Sequence, residues 1–124
     1  MDLGAFSLSL NVADLAASRR FYEALGFQPV GGVAEQGWLI LRQGSTTLGL
    51  FSGMIEANTL TFNPGWTSEG TDVPGPFDDV RAIRARLIAA GLTPETDCDP
   101  DGTGPAHLIL RDPDGNPVLI DQHR

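Results

Sequence analysis

The stretch Phe6-Ser7-Leu8-Ser9-Leu10-Asn11-Val12, FSLSLNV, alternates without a break. Phe6, Leu8, Leu10 and Val12 fall on one side of an extended chain, and Ser7, Ser9 and Asn11 fall on the other. Successive side chains of a strand point to opposite faces of its sheet, so this pattern marks a half-buried β-strand. The apolar face belongs to a core. The polar face either meets water or lines a site.

Immediately downstream, ADLAASRRFYEALGF has the punctuation of a helix. Asp14 is a good N-cap; Leu15, Ser18, Phe21/Tyr22 and Leu25 recur at helical spacing, and Gly26 supplies the stop. FDDVRAIRARLIAAGL repeats the arrangement, with Asp79, then Val80, Ile83 and Leu87, then Gly91. Cap and glycine lie twelve residues apart in both segments, and the segments are offset by 65 residues, about half the chain. Such self-similarity points to a duplicated supersecondary unit.

The flanks agree. FQPVGG, GWLILRQ and TTLGLFS follow the first helix as strand-like segments separated by turns, and LTPET, AHLILR and NPVLID follow the second. NTLTFN, ahead of the second helix, alternates much as FSLSLNV does. Each half therefore reads strand–helix–strand–strand–strand. The expectation is a single domain of two modules, residues 1–53 and 54–124. Between Asn63 and Phe77 lies PGWTSEGTDVPGP, long, rich in Gly and Pro and without periodicity, a surface loop of the kind that carries function.

Composition narrows the classes. A chain of 124 residues with 41% apolar content is large enough for one packed core. No apolar run approaches a membrane span, and residues 1–20 carry strand and helix patterning rather than a leader, so the expected location is cytoplasmic, away from membranes. Cys98 is the only cysteine and sits among carboxylates in TDCDPDG, which argues against both a disulfide and an activated thiol. The net charge is −8, with arginine as the only basic side-chain type besides histidine. Such a surface repels phosphates and excludes nucleic acid as a partner, while favouring a cationic ligand or simply solubility.

The stretch FSLSLNVADLAASRRFYEALGF, together with DPDGNPVLIDQ near the C-terminus, resembles the vicinal oxygen chelate superfamily. Its members include glyoxalase-type lyases, extradiol dioxygenases, fosfomycin-modifying enzymes and bleomycin resistance proteins. The resemblance implies an α+β fold, two βαβββ modules forming a cup-shaped mixed sheet with helices on the outside, and a homodimer. Within it, Asp112-Pro113-Asp114-Gly115 reads as the turn joining the last two strands rather than a calcium loop.

Metal-using relatives hold a divalent cation with His, Glu or Gln on several strands. The resemblance maps these positions onto Ser7, Thr59 and Leu119, with Thr47, Gly49 or Phe51 for the remaining one. Leucine cannot coordinate a cation, and lone hydroxyls rarely hold a transition metal, so neither metal nor cofactor is expected. Strand parity places Ser7, Ser9, Asn11, Thr59, Thr61, Asn63, Leu119 and Asp121 on the inner face. Family parity adds His107 and Ile109, and Trp38, Trp66 and Phe51 supply flat walls. His123, beside the C-terminus, reads as solvated.

Hydroxyls, amides and aromatics without a basic cluster suit a small-molecule pocket. The leading expectation is a metal-free, sequestration-type binder of a small aromatic or cationic compound. The alternative is a glyoxalase-like lyase or isomerase using His107 and Asp121 as an acid/base pair; His107 also reads as an ordinary strand residue satisfied by a neighbour. A third reading makes the cup an interface or a regulatory pocket.

Overall fold

The computed structural model describes residues 1–124. The alternating stretch forms β1 (Ala5–Asn11), followed by α1 (Leu15–Ala24), β2 (Gln28–Val33), β3 (Trp38–Gln43) and β4 (Thr46–Phe51). β5 (Thr59–Asn63), α2 (Val80–Ala89), β6 (Ala106–Arg111) and β7 (Pro117–Gln122) complete the fold. Two compact units emerge: Ser7–Thr59, and Met1–Phe6 together with Leu60–Arg124.

Both helices start and stop where the side chains dictate. Asp14 Oδ1 accepts the Ala17 N–H at 3.0 Å, and Asp79 Oδ1 accepts the Arg81 N–H at 2.9 Å. Each carboxylate satisfies an amide that the first helical turn leaves without an intrahelical partner. Gly26 and Gly91 end the segments at φ 101° and 89°, a backbone conformation that side chains disfavour.

In the Ser7–Thr59 unit β1 runs parallel to β4, and β3 is antiparallel to both β2 and β4. Leu39, Leu41 and Leu50 form its buried centre, with Leu10, Val12, Leu15, Tyr22 and Phe27 packed around them. α1 thus covers the leucine face of the strands. In the other unit β5 runs parallel to β7 and β6 antiparallel to β7. Val80 and Ile83 of α2 pack there on Cys98, Leu108, Leu110 and Ile120. Burial of the Cys98 side chain explains that cysteine as core.

Two expectations need correction. The strands run in the order β2-β3-β4-β1-β5-β7-β6, an open seven-stranded mixed sheet with β2 and β6 as edges. A strand that pairs on one side only closes nothing, so the sheet is not the cup-shaped one that the resemblance implied. The second module also lacks one strand. LTPET makes only an isolated bridge, Thr96 to Ile109, because Pro94 has no N–H to donate to a ladder. What holds is an α+β fold with a mixed sheet and flanking helices.

The turn after β6 forms as read. Asp112 Oδ1 accepts the N–H groups of Asp114 and Asn116, both at 2.9 Å, and its Oδ2 accepts from the Asn116 amide at 2.8 Å. These bonds, led by the Asn116 side chain, hold the Asp112 carboxyl below its ordinary value.

A second polar knot fixes α2. Gln122, 1% exposed, accepts the Val80 N–H through Oε1 at 2.7 Å, and its amide nitrogen reaches Asp79 Oδ2 at 2.9 Å and Gly104 O at 3.1 Å. Burial pushes the Asp79 carboxyl up. The Arg81 N–H, the Gln122 amide and the Arg81 guanidinium outweigh it and hold the carboxyl below 3.8. A carboxyl lowered by folding contributes stability that is complete above its unfolded value and is lost as pH falls through the folded one.

Asp79→Ala should therefore lower the unfolding free energy in urea by roughly 1–2 kcal/mol, as lost caps do. Asp79→Asn keeps a capping oxygen and removes the charge. Its stability deficit against the native protein should be full at neutral pH and close as pH falls below 3.8. A deficit independent of pH would show that the charge contributes nothing.

Candidate functional site

Leu10, Leu39, Leu41 and Leu50 in one unit, and Leu108, Leu110 and Ile120 in the other, pack in the cores that the helices join, so the alternate residues of those strands make up the opposite face. In the Ser7–Thr59 unit, register pairs Ser9 with Gly49, Asn11 with Phe51 and Trp38 with Phe51. Ser7, Ser9, Asn11, Trp38 and Phe51 therefore share one face, as strand parity predicts. Ser9 is 8% exposed. The Asn11 N–H donates to Asn58 Oδ1 at 2.9 Å, and Thr59 Oγ1 turns back to donate to Ala57 O at 3.0 Å.

The aromatic part of this face is built around a glycine. Trp38 and Phe51 rings are parallel within 3°, their centroids 6.2 Å apart. A Cβ on Gly49 would stand 2.5 Å from Phe51 Cε2 and 3.5 Å from Ile40 Cδ1. Phe51 therefore folds over the bare backbone of Gly49, and the absence of a side chain there is what lets the ring lie down beside Trp38. The result is a flat apolar shelf next to the Asn11 amide.

In the other unit Thr61 pairs with Leu119, Ile109 with Leu119, and His107 with Asp121. These side chains share a face with Asn63, whose Nδ2 donates to the Asp121 carbonyl at 2.8 Å. Thr61 is 7% exposed. His107 and Asp121 are direct cross-strand neighbours, yet the contact made by the Asp121 carboxylate is elsewhere. His123 Nε2 lies 3.1 Å from Asp121 Oδ2, and the His123 ring stacks on Trp66 with centroids 4.6 Å apart and planes 8° from parallel.

His123, read from sequence as solvated, is thus half-exposed but held on two sides. Its position two residues after Asp121 on one strand face was the available signal.

The metal positions can now be tested against the donors present. Ser7, Thr59 and Leu119 offer two hydroxyls and a hydrocarbon, and β4 offers Thr47, Gly49 and Phe51, with Phe51 committed to the shelf. Thr59 is engaged with its own loop, and Arg42 Nε donates to Thr47 Oγ1 at 3.2 Å. No three His, Cys, Asp or Glu side chains gather where a cation would sit. The donor set does not fit the metal used by relatives.

A family model of the Glyoxalase/Bleomycin resistance protein/Dioxygenase superfamily matches residues 4–120. The chain belongs to this superfamily. Among solved structures, a superfamily member from Vibrio splendidus is 14% identical, with a TM-score of 0.63 over 94% of this chain and 97% of its own. A Legionella pneumophila protein described as an NAD-dependent benzaldehyde dehydrogenase is 16% identical, with a TM-score of 0.67 over 96% and 99%. A catechol 2,3-dioxygenase is 24% identical, with a TM-score of 0.59; the match covers 98% of this chain but 41% of the dioxygenase. At these identities the likeness is one of fold. No curated protein sequence matches the chain. No helix is long and apolar enough to cross a membrane.

Protein loaded with Zn²⁺, Ni²⁺ or Fe²⁺ and then desalted should retain far less than one ion per chain by elemental analysis. Stoichiometric retention would overturn the reading of Ser7, Thr59 and Leu119.

Proposed function

We propose that this superfamily member is a metal-free, sequestration-type binder of a small aromatic or cationic molecule, acting as a cytoplasmic homodimer without nucleic acid or membrane partners. The observation that carries the reading is the Trp38–Phe51 shelf over Gly49. Two parallel rings beside the amide of Asn11 offer a planar ligand apolar contact and a polar group to orient it. The net charge of −8 favours a ligand with positive charge. Ser7, Ser9 and Thr59 supply further hydroxyl contacts within the Ser7–Thr59 unit, and in the other unit Thr61, Asn63, Ile109 and Leu119 line the corresponding strand face.

A second reading has its own observation. Asp121 Oδ2 lies 3.1 Å from His123 Nε2, and Asp121 sits across from His107 in the ladder, so one carboxylate has two imidazole residues beside it. This arrangement supports a metal-independent lyase or isomerase of glyoxalase type, in which Asp121 orients an imidazole that moves a proton. His107→Ala should then abolish turnover with the melting temperature unchanged, whereas a binder loses nothing measurable by that substitution.

The binding reading is tested with a planar cation. Proflavine should raise the melting temperature in proportion to its occupancy of the folded state. Trp38→Ala and Phe51→Ala should each weaken its binding by about two- to tenfold, the range of a single aromatic contact. Equal affinity in both variants, or no stabilisation by any planar compound at millimolar concentration, would refute it. Sedimentation showing a strict monomer would remove the homodimer.

A further inference from the structure

A cavity of about 300 Å³ lies within the unit formed by Met1–Phe6 and Leu60–Arg124 and shares no residue with the Trp38–Phe51 shelf. Trp66, Phe77, Val73, Pro76, Asp2 and Asp78 are among the residues that line it. That size is at the lower end of the ~300–1,000 Å³ typical of ligand pockets, so an occupant must be compact.

The cavity is shaped in advance by its own loop. Although the segment between β5 and α2 has no regular element, its backbone is tied into a small closed ribbon. The Val73 N–H donates to Gly65 O at 2.9 Å, the Thr67 N–H to Thr71 O at 2.8 Å, and Trp66 forms a bridge with Asp72. Across the wall, the Asp2 N–H donates to Asp78 Oδ2 at 2.6 Å, and Asp2 Oδ1 accepts the Gly4 N–H at 2.8 Å. These bonds fix where both carboxylates stand.

The same loop already receives a cation from the chain itself. The Arg124 guanidinium stands over the Phe77 ring, 4.6 Å from its centroid, and Nη1 donates to the carbonyls of Gly65 at 3.1 Å and Val73 at 3.3 Å. Its Nε is 3.9 Å from Asp72. Arg124 answers Asp72 and one ring face, while Asp2 and Asp78 line the cavity with no basic side chain among its walls. The positive end of α2 is nearby, but its first amides are taken by Asp79 and Gln122. An indole, a phenyl ring and two aspartates around a small void are the chemistry that recognises an alkylated ammonium ion.

We infer that this cavity is a binding site for a small organic ammonium cation, separate from the aromatic shelf. Recognition combines charge from Asp2 and Asp78 with the ring faces of Trp66 and Phe77. Neutral molecules of the same shape are excluded by the cost of covering two carboxylates without a counter-charge.

Choline and its uncharged isostere 3,3-dimethylbutan-1-ol separate charge from shape. In Trp38→Phe protein, Trp66 is the only tryptophan, and its fluorescence reports the cavity directly. Choline should give a saturable change, and the isostere should bind at least tenfold more weakly. Asp78→Asn, which keeps an oxygen for the Asp2 N–H, should weaken choline at least fivefold with the circular dichroism spectrum unchanged. Asp2→Asn should act in the same direction. Equal binding of the isostere, no saturable response to choline, or full affinity in both variants would overturn the inference. The shelf plays no part in choline binding, so a failed proflavine test leaves this result standing, and the converse also holds.

Discussion

The buried amide of Gln122 decides which way the last strand faces. With its oxygen on the Val80 N–H and its nitrogen on Asp79 and Gly104, this side chain must point under α2. Strand alternation then leaves no freedom: Ile120 and Gln122 go inward, and Asp121 and His123 go outward. The imidazole beside Asp121 and the stacking on Trp66 follow from that constraint. Removing the amide would leave several polar groups buried without partners, each costing on the order of 1–3 kcal/mol. One polar residue thus ties the helix cap, the strand orientation and the polar face together.

A similar division of labour runs through the Ser7–Thr59 unit, with hydrocarbon in place of the amide. Leu39, Leu41 and Leu50 commit one side of β3 and β4 to the core, so Trp38, Gly49 and Phe51 have to make the other. On that side the sequence replaces ligating residues with ring and backbone. Phe51 needs the space over Gly49, and a coordinating side chain at Gly49 would displace it. At β4 the aromatic shelf and a ligating side chain at Gly49 exclude one another, and the binding reading rests on the shelf.

Much of this was legible beforehand because it is local. FSLSLNV named its own two faces, Asp14 and Asp79 announced their helices, and Asp112-Pro113-Asp114-Gly115 announced its turn. The face partners of Ser9, Asn11, Thr61 and Asp121 followed from parity, and that of His107 from the family resemblance. What failed was non-local. LTPET has strand-like residues, but Pro94 cannot donate and the segment keeps only the bridge at Thr96. Closure of the sheet depends on edge pairing, which no alternation pattern encodes; the cup was taken from the resemblance, and β2 and β6 stand as edges instead. The stacking of His123 on Trp66 is non-local too, since that ring lies on a distant loop.

The loop after β5 shows how function can reside in a segment with no periodicity. Its Gly and Pro content would leave an isolated peptide disordered, yet ribbon hydrogen bonds and the Arg124 contacts hold Trp66 and Phe77 in place before any ligand arrives. Order imposed during folding is not charged again on binding, and that saving is what gives a small ligand useful affinity. The arginine has a further consequence. By pairing with Asp72 and covering one face of Phe77, it leaves Asp2 and Asp78 as the carboxylate residues among the cavity walls. Selectivity for a compact cation then arises from the uneven placement of charge around the loop rather than from the acidity of the protein as a whole.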